Sequence, residues 1–323
     1  MPTTVTAQCV ACGTQDQHAS FCVREMYFGT QEQFEYFECR ECGTLQIGAV
    51  PPDLARHYPE DYYSFAGSVP KPRSALESAL RRRRSDAWLG HGGALAGVLG
   101  RLGRRREYFD WFRGLPLSTD SSILDVGCGG GSLLLKMRKD GFARLAGLDP
   151  YLRERIDCGG GLAIEKRSLA EETRRFDLVM LHHSFEHMSD PAGSLAEIAR
   201  CLAPGGHALI RLPIAGGYAW RKYRQHWYAL DAPRHLFIPT VRAMHLLAVR
   251  AGLTIRRVFF DSDTGQFLAS EAYQRDIPLI EQMRAPPRLR SEAELAGLRA
   301  LAMQLNLAGD GDSGGFVLAR PAP

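Results

Sequence analysis

Long apolar runs are missing from this 323-residue sequence. No stretch approaches the roughly 20 consecutive apolar residues that cross a bilayer, and no charged-then-apolar leader opens the chain. The expectation is therefore a cytoplasmic protein with no membrane span. An excess of one charge sign is missing too. The net charge is +4, which permits an anionic substrate without demanding nucleic acid. Compositional extremes are absent, at 45% hydrophobic and 24% charged residues, so the chain reads as globular. Its length allows one large domain plus a small one. Two nucleotide signatures are lacking as well. No Gly-Lys-Ser/Thr closes a phosphate-binding loop, and Ser132 stands where a dinucleotide fingerprint needs its third Gly or Ala.

Cysteine, by contrast, is present in a pattern. Four of the eight cysteines form two knuckles, Cys9-Val-Ala-Cys12-Gly13 and Cys39-Arg-Glu-Cys42-Gly43. In a cytosolic chain this spacing points to metal before disulfide. Four thiolates satisfy a tetrahedral Zn2+ with no position left open, which makes a structural site. Rubredoxin-like iron and two redox thiol pairs are the alternatives. Zinc is expected to stand in for the core that so short a segment cannot build. Residues 1–50 thus read as a zinc ribbon, with Cys22 as a buried or spare thiol. Its basic residues Arg24 and Arg40 face six acids, among them Glu35, Glu38 and Glu41, which argues against an RNA clamp.

Residues 51–117 form a connector. Pro51-Pro52 marks its start, and His57-Tyr-Pro-Glu-Asp-Tyr-Tyr-Ser-Phe65 is an aromatic loop. It reads as packing, or as a lid with Tyr62 or Tyr63 near a ligand. Arg81–Arg84 and Arg104–Arg106 are basic runs, read first as solvated helix faces.

From residue 118 to 323 strands and helices alternate. Strands are predicted at 122–126, 144–149, 162–166, 176–182, 206–212, 254–261 and near 315–320, and helices near 131–140, 191–203, 241–252 and 290–306. Such alternation predicts an α/β, doubly wound, Rossmann-like sheet with its ligand beyond the C-terminal strand ends. The chemistry centres on Asp125-Val-Gly127-Cys-Gly129-Gly-Gly131. Bare glycine backbone admits a ligand closely. Asp125 beside it disfavours a pyrophosphate and favours a cationic or hydroxyl-bearing ligand. S-adenosylmethionine has an ammonium, a sulfonium and no phosphate, so it fits this turn better.

The chain here resembles the class I methyltransferases that use S-adenosylmethionine. The resemblance is close over about 118–261 and loose over the final strand. Besides the glycine turn it rests on Leu145-Ala-Gly-Leu-Asp149-Pro, Arg167-Ser168-Leu169, Phe176 to His187 and Leu202-Ala-Pro-Gly-Gly206, in that order. It implies that Asp149 takes the ribose hydroxyls, that Ser168 and Leu169 lie on the adenine side, that His182 touches the cofactor, and that the last strand runs antiparallel. The cofactor set is then Asp125, Gly127, Gly129, Gly131, Asp149, Ser168, Leu169 and His182. With the knuckles and the connector, the chain is similar to a bacterial subgroup in polysaccharide, sugar and natural-product pathways. Trp227 to Phe237 resembles the same subgroup and lies in an insertion at about 213–240.

Methyl transfer to a hydroxyl is helped by a general base, for which His183 and His235 are the candidates. In related quinone O-methyltransferases the Glu186-His187 region can hold a divalent metal, but His183 stands where a carboxylate would. Arg211, Arg221, Lys222, Arg224 and Arg234 raise the reading of a phosphorylated or nucleotide-linked sugar as acceptor. An RNA methyltransferase and a non-catalytic scaffold that binds S-adenosylmethionine are the alternatives. The sequence lacks an Asn/Asp-Pro-Pro-Tyr motif after the fourth strand, which counts against RNA.

Overall fold

The computed structural model describes residues 3–58, 75–91, 104–284 and 291–321. They divide into two compact units. The first comprises Met1–Pro59, Phe185–Leu195 and Arg211–Phe316; the second comprises Glu60–Ser184, Ala196–Ile210 and Val317–Pro323.

The second unit is built on strand β5 (Ser122–Val126), in which every residue is buried. A strand covered on both faces reads as a continuous apolar run, and Ile123-Leu124 with Val126 supply it. β5 pairs in parallel with β6 (Arg144–Leu148) and with β9 (Phe176–His182), which sets Asp125 opposite Gly147 on one side and Met180 on the other. Outward from β6 come β8 (Ala163–Glu165) and β7 (Ile156–Asp157), the latter antiparallel, so the sheet is mixed. Beyond β9 lies β10 (Leu202–Pro213), flanked in turn by the end of β13 (Ser313–Ala319). The Leu202–Gly206 stretch opens β10 and turns at Gly205, which has φ +75. Gly206 follows without a side chain, because a Cβ there would meet the Phe176 carbonyl at 2.8 Å and the Ala203 carbonyl at 2.9 Å. Helix α3 (Ser132–Lys139) follows the glycine turn and buries Leu134, Leu135 and Met137.

Several arginines of the two basic runs have partners within this unit, while Arg104–Arg106 are exposed. Arg81–Arg84 lie on helix α1 (Ala75–Trp88), where Arg81 pairs with Glu77 at 3.0 Å and Arg84 covers the Trp88 ring. Arg106 pairs with Asp140 at 2.6 Å, and the Tyr108 hydroxyl donates to the same carboxylate. Tyr62 and Tyr63, the lid candidates, lie outside the described residues.

The first unit carries an antiparallel sheet of β1 (Thr3–Gln8), β2 (Gln15–Arg24), β3 (Gln33–Glu38) and β4 (Leu45–Ile47), to which β11 (Phe237–Ile238) adds a fifth strand. β11 pairs with β4 through Phe237 opposite Gln46. The two knuckles sit at the β1–β2 and β3–β4 turns. Val23, Tyr36 and Leu45 of the ribbon share one core with Trp220, Trp227 and Phe267. The ribbon thus has an apolar core, drawn from residues far along the chain, which the expectation of zinc in place of a core did not include. Burial of side chains this size is worth about 1.5–3 kcal/mol each. In the same unit β12 (Thr254–Phe260) lies beside the start of β13. Helix α9 (Glu292–Ala308) has a reciprocal cap from Ser291 and Glu294 and ends at Gly309 in left-handed conformation.

Candidate functional site

The glycine turn of the second unit has the backbone the sequence implies. Gly127 sits at φ +70, and a Cβ there would meet the Ser184 side chain at 2.4 Å. Gly131 sits at φ +74 and would meet Ile164 at 2.7 Å. The Gly127 amide donates to the Leu148 carbonyl at 2.7 Å, and the Ser184 hydroxyl donates to the Val126 carbonyl at 2.7 Å. These bonds fix the ends of β5, β6 and β9 around the turn. Gly131 caps α3 with no side-chain partner, so the helix start presents amide donors of its own.

Two carboxylates flank the turn. Asp149 accepts the Gly129 amide at 2.8 Å on one oxygen and the Tyr151 amide at 2.9 Å on the other. Asp149 therefore also shapes the loop, a task its distance in sequence gave no hint of. Asp125 is buried, and burial followed by the charge of Asp149 pushes its carboxyl well above the usual range. A cation placed against it would relieve that cost. Cys128 is half-buried, and burial, then the charges of Asp125 and Asp149, push its thiol up, which disfavours the thiolate.

Ser168 caps the short turn Leu169–Glu171, its amide donating to Glu171 at 2.7 Å, and Leu169 is buried. At the end of β9, His182 packs on the Trp111 indole with ring centroids 4.7 Å apart. His183 is exposed and adopts φ +51. Positive φ in a residue with a Cβ is uncommon and clusters at functional sites.

In the first unit the four cysteines converge, with ligand sulfurs all within 4.8 Å of one another. Cys9 and Cys42 lie 3.6 Å apart, as do Cys12 and Cys39. The Cys9 thiol donates to Cys42 and holds it down at about 4, while burial pushes Cys39 up to about 11. Four sulfurs in this arrangement fit a tetrahedral ion.

The same unit places His235 well inside. Its Nδ1 lies 2.7 Å from the Ala229 carbonyl, and burial, with His187 beside it, pushes its pKa down to about 4. His187 Nδ1 lies 2.9 Å from the Arg234 carbonyl and 3.0 Å from the Tyr58 hydroxyl. The arginines expected to meet a phosphate are engaged elsewhere. Arg211 binds Asp261 at 2.5 Å, Arg221 binds Asp310 at 2.7 Å, and Arg234 binds Asp231 at 2.6 Å and Glu25 at 3.0 Å. Sequence reasoning missed this last assembly. Asp231 is three residues from Arg234, but nothing local marks Glu25 or His57, which also bind it.

Comparison with known proteins agrees with this geometry. Residues 101–258 match the family described as a methyltransferase domain. The chain is 31% identical over 112 residues to a ubiquinone biosynthesis O-methyltransferase of Serratia proteamaculans, covering 31% of this chain and 46% of that one. It is 28% identical over 153 residues to a tRNA U34 carboxymethyltransferase of Methylococcus capsulatus, covering 44% and 47%. The chain spans about half the length of these curated relatives. Among solved structures, a cyclopropane synthase from Mycobacterium tuberculosis matches at 18% identity, TM-score 0.40, over 64% of this chain and 80% of that one. The matched residues 101–258 take in the glycine turn and the strands that flank it, β5, β6 and β9. No helix among the described residues is long and apolar enough to cross a membrane.

Proposed function

We propose that this protein transfers a methyl group from S-adenosylmethionine to a hydroxyl of a small molecule. The observation that carries this is the glycine turn between two acids, with Asp149 receiving the Gly129 amide and Asp125 buried at the strand end. Asp149 would hold the ribose hydroxyls, Ser168 and Leu169 the adenine side, and His182 the cofactor's edge. Asp125 would balance the ligand's positive charge, in line with its buried, raised carboxyl. The cofactor supplies an electrophilic methyl on a sulfonium.

His183 is the base in this reading. Its exposed imidazole at the end of β9 would take the acceptor's proton. His235 is the weaker choice, because a histidine pushed down to about 4 is a poor base near neutral pH. The O-methyltransferase relatives support oxygen as the target. The nucleotide- or carrier-linked sugar rests on the ribbon subgroup alone, since Arg211, Arg221 and Arg234 are each held by carboxylates. The four cysteines would hold structural zinc.

Mass spectrometry of acceptor panels incubated with protein and S-adenosylmethionine tests this. Sugars, phenols and quinols should be included, with RNA beside them. A gain of one methyl on a small-molecule hydroxyl is expected. A gain on RNA alone would overturn the proposal.

A further inference from the structure

The second unit contains a cavity of about 660 Å3, a size that suits a small molecule. Two stretches of chain line it. Arg104, Arg105, Arg106 and Trp111 come from the segment that ends in the short helix α2 (Tyr108–Trp111), and Leu133 and Lys136 come from α3. Residues three apart share a helix face, so Leu133 and Lys136 look to the same side of α3. Among the described residues that line the cavity, none belongs to the candidate cofactor set.

Its walls are of two kinds. One is aromatic. Tyr108 is buried with its hydroxyl donating to Asp140 at 2.6 Å, and the half-buried Trp111 indole lies on the His182 ring at the end of β9. The other is cationic, with Arg104, Arg105, Arg106 and Lys136 all exposed, against Glu107 and Asp110. Arg106 is engaged by Asp140 at 2.6 Å. Arg105 shares Asp110, at 3.2 Å, with Arg113, at 3.0 Å, and a guanidinium has donors left over for a further oxygen. Arg211, Arg221 and Arg234 are each held by carboxylates, whereas Arg104 and Lys136 have no ion pair among the described residues. Cations gathered around one cavity repel one another, and a bound anion relieves that cost. The basic run at 104–106, read from the sequence as a solvated helix face, thus borders a hollow with an apolar wall opposite.

We propose that this cavity receives the phosphate-bearing end of the acceptor, a phosphate ester of a small apolar or aromatic body. Arg104, Arg105 and Lys136 would take the phosphate oxygens, for which arginine offers a planar donor fork and lysine a point charge. Trp111 and Leu133 would lie against the body. That the ester is the acceptor rests on the methyl-transfer reading; the phosphate site itself does not.

Titration of the full chain with phenyl phosphate, by calorimetry and by the indole N–H resonance of Trp111, tests it. One phenyl phosphate per chain should bind and move that resonance, and phenol should bind about tenfold more weakly or worse. The double variant Arg104→Gln, Lys136→Gln alters two exposed side chains. It should weaken phenyl phosphate about tenfold or more and keep the parent's response to S-adenosylhomocysteine. Equal phenyl phosphate affinity in the variant, a Trp111 resonance that does not respond, or equal binding of phenol would overturn the proposal. Binding to phosphatidylglycerol vesicles with no response to phenyl phosphate would assign the cations to a membrane surface and overturn it too. S-adenosylhomocysteine is titrated separately. Its failure to bind would overturn the methyl-transfer reading, whereas failure of phenyl phosphate in a chain that binds it overturns the phosphate site alone.

Discussion

Arg234 and Glu25, 209 residues apart in sequence, meet in a salt bridge of 3.0 Å with neither side chain exposed. Glu25 also accepts the amides of Tyr27, Phe28 and Thr30, and Arg234 stacks over the Tyr27 ring. The guanidinium also donates to both Asp231 oxygens, from Nε at 3.0 Å and from the Nη2 shared with Glu25 at 2.6 Å. Arg234→Met should therefore leave the buried Glu25 and the half-buried Asp231 without their cation. The expected loss is about 3–5 kcal/mol, read from urea unfolding. A loss below about 1 kcal/mol would mean that the assembly is incidental.

Asp312 gives the first unit a pH dependence. Burial pushes its carboxyl from 3.8 up to about 6, although it accepts the Trp227 indole N–H at 2.9 Å. The folded state then holds a proton that the unfolded state releases. Stability from this group is fully present below pH 3.8 and declines as pH rises to about 6. The decline is on the order of 3 kcal/mol, and Asp312→Asn should abolish that component of the slope. An unchanged slope in the variant would assign the dependence to other groups.

The cysteine cluster should hold metal that the fold uses. Cys42→Ser removes one of four converging sulfurs and should lose an equivalent of zinc by elemental analysis, together with a drop in melting temperature. Because the ribbon shares its core with Trp220 and Trp227, partial structure should survive chelation. Complete unfolding on chelation would show that the shared core contributes less than its burial implies.

Gly127→Ala tests the backbone of the turn. It combines φ +70 with an approach of 2.4 Å to Ser184, so strain of about 1–3 kcal/mol and a loss of cofactor affinity are expected together. Wild-type affinity in a stably folded variant would contradict a requirement for bare backbone there.

How much of this was legible in the sequence depends on range. The β5 strand, the glycine turn and the acids beside it are local signals, and the structure puts them where periodicity and spacing predict. The knuckles were equally legible, because Cys-x-x-Cys needs only its own turn. The role of Arg234 was not, since its partner Glu25 lies in another element and ion pairs of that separation leave no periodic trace. The same holds for β11, whose two residues carry no strand signal until β4 is beside them. His235 looked like a base beside an arginine, and only the fold set it next to Glu186 and His187.

The central claim is that Asp149 and the glycine turn bind S-adenosylmethionine, and calorimetric titration with S-adenosylhomocysteine tests it most directly. Asp149→Asn keeps an acceptor for the loop but removes the charge. The account predicts one site per chain in the unsubstituted protein, weakened about 10- to 100-fold in the variant. No binding to the unsubstituted protein, or equal affinity in a folded variant, would contradict it.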